Sequence, residues 1–115
     1  MRRSLLLVLA LLSACDRIPG TEANRIREAE QAVRKELLDP SAAQFRGVAE
    51  TKYGVCGEVN AKNQMGGYSG FRPFYVSEGE VGIEPDRLSS LDFETEHGQF
   101  MAGYVVACDL TRNRK

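Results

Sequence analysis

Eight consecutive apolar residues at positions 5–12 (LLLVLALL) decide how much of this chain is left to fold. They follow a basic start, Met1-Arg2-Arg3, and run into the small residues Ser13 and Ala14. A run of that length is too short to cross a bilayer as a helix, which takes about 20 residues. A basic head, a short apolar segment and small residues at its end make an export leader that is removed after translocation. With residues 1–14 assigned to a leader, 101 residues remain. A chain of that size buries roughly two thirds of the surface it exposes when unfolded, so one modest core and one domain are expected. Hydrophobic residues at 43% and charged residues at 27% suit such a domain. Outside the leader, 13 basic residues face 16 acidic ones. Nucleic acid, which rewards a concentrated basic face, is not an expected partner.

The sequence Leu12-Ser13-Ala14-Cys15 closely resembles the processing site of bacterial lipoproteins, an aliphatic residue and two small ones ahead of a Cys. The resemblance implies cleavage before Cys15, diacylglycerol on its thiol and a fatty acid such as palmitate on the new amino group. Two or more chains anchor stably, at about 0.8 kcal/mol per buried CH₂. The implied location is the bacterial cell envelope, lipid-anchored and facing the periplasm, with the membrane as a partner through Cys15. Ordinary secretion with a coincidental Cys is the alternative. Asp16 resembles the signal that retains lipoproteins in the inner membrane of enteric bacteria, although Arg17 follows it. Residues 15–20 end in Ile18-Pro19-Gly20 and read as a tether, since Pro and Gly break regular structure. Residues 21–115 are then the globular domain.

If Cys15 is lipidated, Cys56 and Cys108 remain as an even pair in an oxidising compartment. A disulfide between them is expected; two buried free thiols are the alternative. The bond would close a loop of about 53 residues, worth on the order of 4 kcal/mol in the chain-entropy description. One His and no CxxC pair argue against a Zn site, and no metal or cofactor is expected.

Residues 21–38 have the period of an amphipathic helix, with Ile26, Ala29, Val33 and Leu37 three to four apart. Thr21 is placed to cap it, Glu22 suits the positive end of its dipole, and Glu30 and Arg34 are spaced to pair. Asp39-Pro40 ends it, because a residue before Pro avoids the α region. Asp39 is in turn placed to cap a short turn beginning at Pro40. Residues 45–53 and 55–60 are strand-like runs parted at Gly54. Residues 72–77 (RPFYVS) and 80–84 (EVGIE) are spaced as a hairpin about Glu78-Gly79. Residues 64–70 (QMGGYSG) read as a glycine-rich loop. The segment 99–108 fits a helical face through Phe100, Met101, Tyr104, Val105 and Cys108. It also fits a strand face through Phe100, Ala102, Tyr104, Val106 and Cys108. Gly98, Gly103 and the Val105-Val106 pair weaken the helix, which is favoured only narrowly. The expected fold is α+β: an N-terminal amphipathic helix packed on a small antiparallel sheet of about three to four strands, with a C-terminal helix or strand.

Asp39-Pro40-Ser41-Ala42, Phe45, residues 55–63 (VCGEVNAKN), residues 66–70 (GGYSG) and Phe74 resemble a family of small exported bacterial proteins of uncharacterised function. The pattern DPxSAxF…VCGxVNxKNxxGGYxG covers about a third of the chain. It implies no chemistry, and that family's late Cys lends support to the Cys56–Cys108 pairing.

Catalytic groups are sparse. His97 is the only His and, beside Gly98, reads as an exposed turn residue; Ser69 lacks a GxSxG setting. Asn60, Lys62 and Asn63 stand where a strand meets the glycine-rich loop. Two amides and a cation beside unshielded N–H groups suit a polar ligand or a peptide backbone, but a structural turn is the favoured reading. Of Tyr68, Phe71, Phe74 and Tyr75, most belong in the core of a domain without Trp, and one or two exposed on the loop would mark a binding surface. Seven acids between positions 78 and 96, with Arg87 the one base, read as a solvated loop face, with an acidic docking surface as the alternative. The leading reading is a non-enzymatic envelope lipoprotein that binds a protein or cell-wall partner. The alternative is a small hydrolase or peptidoglycan-active enzyme, with His97 or these carboxylates converging in a cleft.

Overall fold

A computed structural model describes residues 20–86 and 92–109. Residues 1–19, which hold the expected leader, Cys15, Asp16 and most of the expected tether, lie outside the described residues, as do residues 87–91 and the basic tail. The fold is α+β: helix α1 (Glu22–Arg34), a short 3-10 turn (Pro40–Ala42), strands β1 (Gln44–Glu50), β2 (Val55–Lys62), β3 (Tyr68–Ser77) and β4 (Glu80–Ile83), and helix α2 (Phe93–Ala107). The four strands form one antiparallel sheet in chain order.

Thr21 caps α1 by accepting the Asn24 N–H at 3.2 Å. The helix stops four residues short of the expected end at 38. The N–H groups of Glu36 and Leu37 bond three residues back, to Val33 and Arg34, so the chain tightens before Asp39-Pro40. The spaced pair Glu30 and Arg34 does not form an ion pair. Arg34 reaches forward instead, donating to the Pro40 carbonyl at 2.6 Å and lying 5.0 Å from the centre of the Phe45 ring. Asp39 makes no side-chain cap to the short turn; its carboxylate accepts the Ser41 hydroxyl at 2.9 Å.

Two buried clusters lie on the two faces of the sheet. Residues directly opposite in antiparallel strands point the same way, so Val55, Gly57, Phe74, Val76, Val81 and Ile83 share one face. There Val33, Val59 and Phe74 are fully buried, with Leu37, Phe45 and Val48 packed around them. The adjacent residue Tyr75 points to the other face, in a cluster with Phe100 and Ala107 of α2. A bulge in β1 serves the first cluster. Gly47 and Val48 together oppose the single residue Gly57, and Gly47 has φ of 60°. Without the extra residue, Phe45 and Val48 would face opposite ways. With it both reach Phe74, and Phe45 meets that ring edge-on at 5.7 Å.

The C-terminal segment is a helix from Phe93 to Ala107, so the narrow preference for helix holds and the strand alternative fails. Its second glycine has a packing reason. A Cβ at Gly103 or at Gly82 would overlap the Tyr75 ring, so the two glycines form a slot that admits it. Cys108 follows the helix and is disulfide-bonded to Cys56 of β2, with Cα atoms 5.9 Å apart. The bond falls on the same face as Tyr75 and fastens the end of α2 to the sheet. Parts of the acidic stretch belong to regular structure rather than a loop: Glu80 lies in β4, and Glu94 and Glu96 occupy the first turn of α2, where negative charge suits the dipole.

Candidate binding cleft

The β2–β3 connection is shorter and more ordered than a loop over 64–70 would be. β3 begins at Tyr68, leaving a turn at positions 63–67. Asn63 organises that turn: its side-chain oxygen accepts the N–H groups of Met65 at 3.0 Å and Gly67 at 3.2 Å. Its own N–H donates to the Gly67 carbonyl at 2.8 Å. Asn60 does similar work next door. Between the pairs Asn60↔Phe71 and Lys62↔Tyr68, Ser69 and Gly70 of β3 oppose only Ala61. The Asn60 oxygen takes up the Gly70 N–H at 3.0 Å, and its amide nitrogen donates to Gln44 at 3.2 Å. The Tyr68 hydroxyl donates to the Ala42 carbonyl at 3.0 Å, and its ring is 45% exposed. Three of the four residues singled out from the sequence thus spend their polar groups on the domain's own backbone or side chains. The fourth, Lys62, lies with its ammonium 5.7 Å from the Tyr68 ring and makes no ion pair among the described residues.

Of the four aromatics, Phe74 and Tyr75 are core residues, two rather than most of the group. Phe71 is half-buried under the Arg46 guanidinium, 3.9 Å from its ring centre, and Arg46 in turn pairs with Glu58 at 3.2 Å.

A cleft of about 630 Å³ opens between the segment after α1 and the β2–β3 turn. Its walls include Leu37, Leu38, Lys62, Asn63, Met65 and Arg72. Leu38 is 71% exposed and Met65 95% exposed, so two apolar side chains stand at the cleft unburied. Glu36 and Asp86 also line it and balance the cations. Arg72 donates through Nη1 to the Glu84 carbonyl at 2.8 Å, while its Nε is buried without a hydrogen-bond partner. Lys62 and Asn63 are therefore at the cleft, and Leu38, Met65 and Arg72 are the members that sequence reasoning passed over. Leu38 carried a signal, being the apolar residue that follows Leu37 past the end of the helical stripe.

His97 is not in a turn. It lies within α2, stacks on Phe93 one turn earlier at 5.2 Å, and holds Nδ1 3.5 Å from Glu84 Oε1 without hydrogen-bond geometry. The hydrogen bond that Arg25 donates to Glu50 raises the guanidinium pKa above its ordinary value, with further help from the Glu50 charge. Among the described residues no group of three or more His, Cys, Asp or Glu is placed to hold a metal ion, and no helix is long and apolar enough to cross a membrane. No family model matches the chain, and no curated protein or solved structure matches it.

Proposed function

We propose that the protein is a lipid-anchored lipoprotein of the bacterial envelope, and that its domain is a non-enzymatic module binding a protein or cell-wall partner in the Leu38–Met65 cleft. Anchoring rests on Leu12-Ser13-Ala14-Cys15 behind the apolar run, with Asp16 favouring the inner membrane. Membership in the family of exported proteins with the VCGxVNxKNxxGGYxG pattern belongs to the same proposal. So does the reading of α1 as an amphipathic helix covering one face of the sheet, supported by the burial of Ala29 and Val33.

The observation that carries the binding role is the exposure of Leu38 and Met65 across a cleft that also holds Lys62. Binding surfaces combine apolar anchors with a few polar groups, and Met adapts well to varied partners. Asn63 lines this surface, and Asn60 and Tyr68 brace the strands beside it.

The test is a photo-cross-linking amino acid at position 65 of the full-length chain in living cells. A discrete adduct that Leu38→Asp abolishes, while the melting temperature is kept, is the expected result. Adducts at other surface positions but none at 65 would contradict the assignment. The hydrolase reading has one observation in its favour, the approach of His97 to Glu84. On the binding account His97→Ala leaves capture at position 65 unchanged.

A further inference from the structure

The domain has two distinct ends. At one, Arg25 in the first turns of α1 donates to Glu50 at the end of β1 at 2.6 and 3.0 Å, and to the Gly20 carbonyl. The Thr51 hydroxyl in the β1–β2 turn meets the Ala107 carbonyl at the end of α2, 2.5 Å away. Ser77 donates to the Tyr53 carbonyl at 2.7 Å, bringing in the β3–β4 turn. The chain enters the domain here, at Gly20. The cleft is at the other end: β2 runs from Val55, beside this turn, to Lys62, beside the cleft. Eight strand residues span roughly 25 Å.

Four residues separate Cys15 from Gly20, and the five steps between their Cα atoms reach at most about 18 Å. That is shorter than the strand. Inverting the domain so that its cleft end rests on the bilayer would lift Gly20 beyond the reach of a lipid on Cys15. The end that stays near the surface carries Lys52 and Tyr53. The Tyr53 ring is 48% exposed, and the Lys52 ammonium lies 5.4 Å from its centre. An apolar ring with a polar tip and a neighbouring ammonium on an aliphatic stem suit the headgroup layer.

We infer that the Lys52-Tyr53 turn is a second membrane contact, a lipid-facing surface that holds the cleft outward. The inference rests on the anchoring of Cys15 proposed above. Tethering raises the local concentration of the turn at the bilayer, so a contact too weak to bind by itself suffices.

The chain contains no Trp, so a single introduced tryptophan reports its own depth. The full-length lipidated protein is reconstituted into phosphatidylethanolamine–phosphatidylglycerol vesicles with brominated acyl chains, once as Tyr53→Trp and once as Met65→Trp. Both positions are exposed, and melting temperatures check that both variants fold. The expected result is blue-shifted emission and several-fold stronger quenching for Tyr53→Trp than for Met65→Trp. Adding Lys52→Glu should reduce the quenching at position 53. Equal quenching at the two positions, or stronger quenching at 65, overturns the inference. Vesicle flotation and the acyl mass on Cys15 are read separately. Acylated, floating protein with no quenching at 53 overturns the membrane face alone. Protein that neither floats nor carries acyl chains overturns the anchor and this face together.

Discussion

Gly103 shows how a single residue can point the wrong way when read alone. In a helix interior Gly costs about 1 kcal/mol relative to Ala, which counts against a helix here. The structure supplies the reason it is tolerated: a Cβ at this position would overlap Tyr75, a residue 28 positions earlier in the chain. No local pattern carries that information. Gly98, in the same helix, has nothing within 4 Å of where its Cβ would be. Gly98→Ala should therefore stabilise the domain by about 0.5–1 kcal/mol, and Gly103→Ala should destabilise it by about 1–3 kcal/mol through overpacking. Urea unfolding of the two variants checks this, and equal effects would remove the slot. The amides are the converse case. Asn60 and Asn63 stood out beside glycines, but sequence leaves open whether such groups face a ligand or their own backbone. Both accept backbone N–H groups. Asn63→Ala should cost about 1–2 kcal/mol by leaving two N–H groups without their acceptor, whereas Met65→Ser should stay within about 0.5 kcal/mol of the parent. Thermal melts of the pair distinguish a structural turn residue from an exposed one.

The β3–β4 hairpin was legible because its signals are local. Apolar and aromatic runs flank Glu78-Gly79, and the structure pairs Ser77 with Glu80 around those two residues. Both have positive φ, 50° for Glu78 and 81° for Gly79, the mirror-image turn that matches strand twist. Glu is a poor residue for that conformation and Asn a good one. Glu78→Asn should stabilise the domain by about 0.5–1 kcal/mol, read as a raised urea midpoint with an unchanged slope. A destabilised variant would mean that the Glu78 carboxylate does more than fill a turn. The first helix was legible in place, through its Thr21 cap, but not in length, since its last turn tightens under the constraint of Asp39-Pro40. The C-terminal helix was the least legible element. Its glycines and β-branched pair weaken the local signal, and its place is decided by Tyr75 and Cys56, both distant in sequence. The cleft was legible only in half: the turn side showed its Asn and Gly residues, while Leu38 and Arg72 arrive from segments whose apposition needs the sheet register.

At the scale of the molecule, the two buried clusters are held in different ways. Val33, Val59 and Phe74 join elements linked by short connections. Tyr75, Phe100 and Ala107 join the sheet to a helix that returns after residues 84–92, and the Cys56–Cys108 bond secures that return. Closing a loop of 52 residues' separation contributes on the order of 4 kcal/mol, a large fraction of a small domain's stability. Reduction should therefore release α2 first. Amide hydrogen exchange in reductant should show protection lost across Phe93–Ala107 before it is lost in β2 and β3. Simultaneous loss everywhere would make the two clusters one cooperative unit.

Anchoring and cross-linking both turn on where the mature chain begins and how its three cysteines are used. Intact-mass spectrometry of protein isolated from the envelope without reductant reads all three at once. The predicted species starts at Cys15, carries the mass of diacylglycerol and a further acyl chain there, and is two hydrogens short for the Cys56–Cys108 bond. A chain that retains its leader, or one that is cleaved elsewhere and bears no lipid, would contradict it.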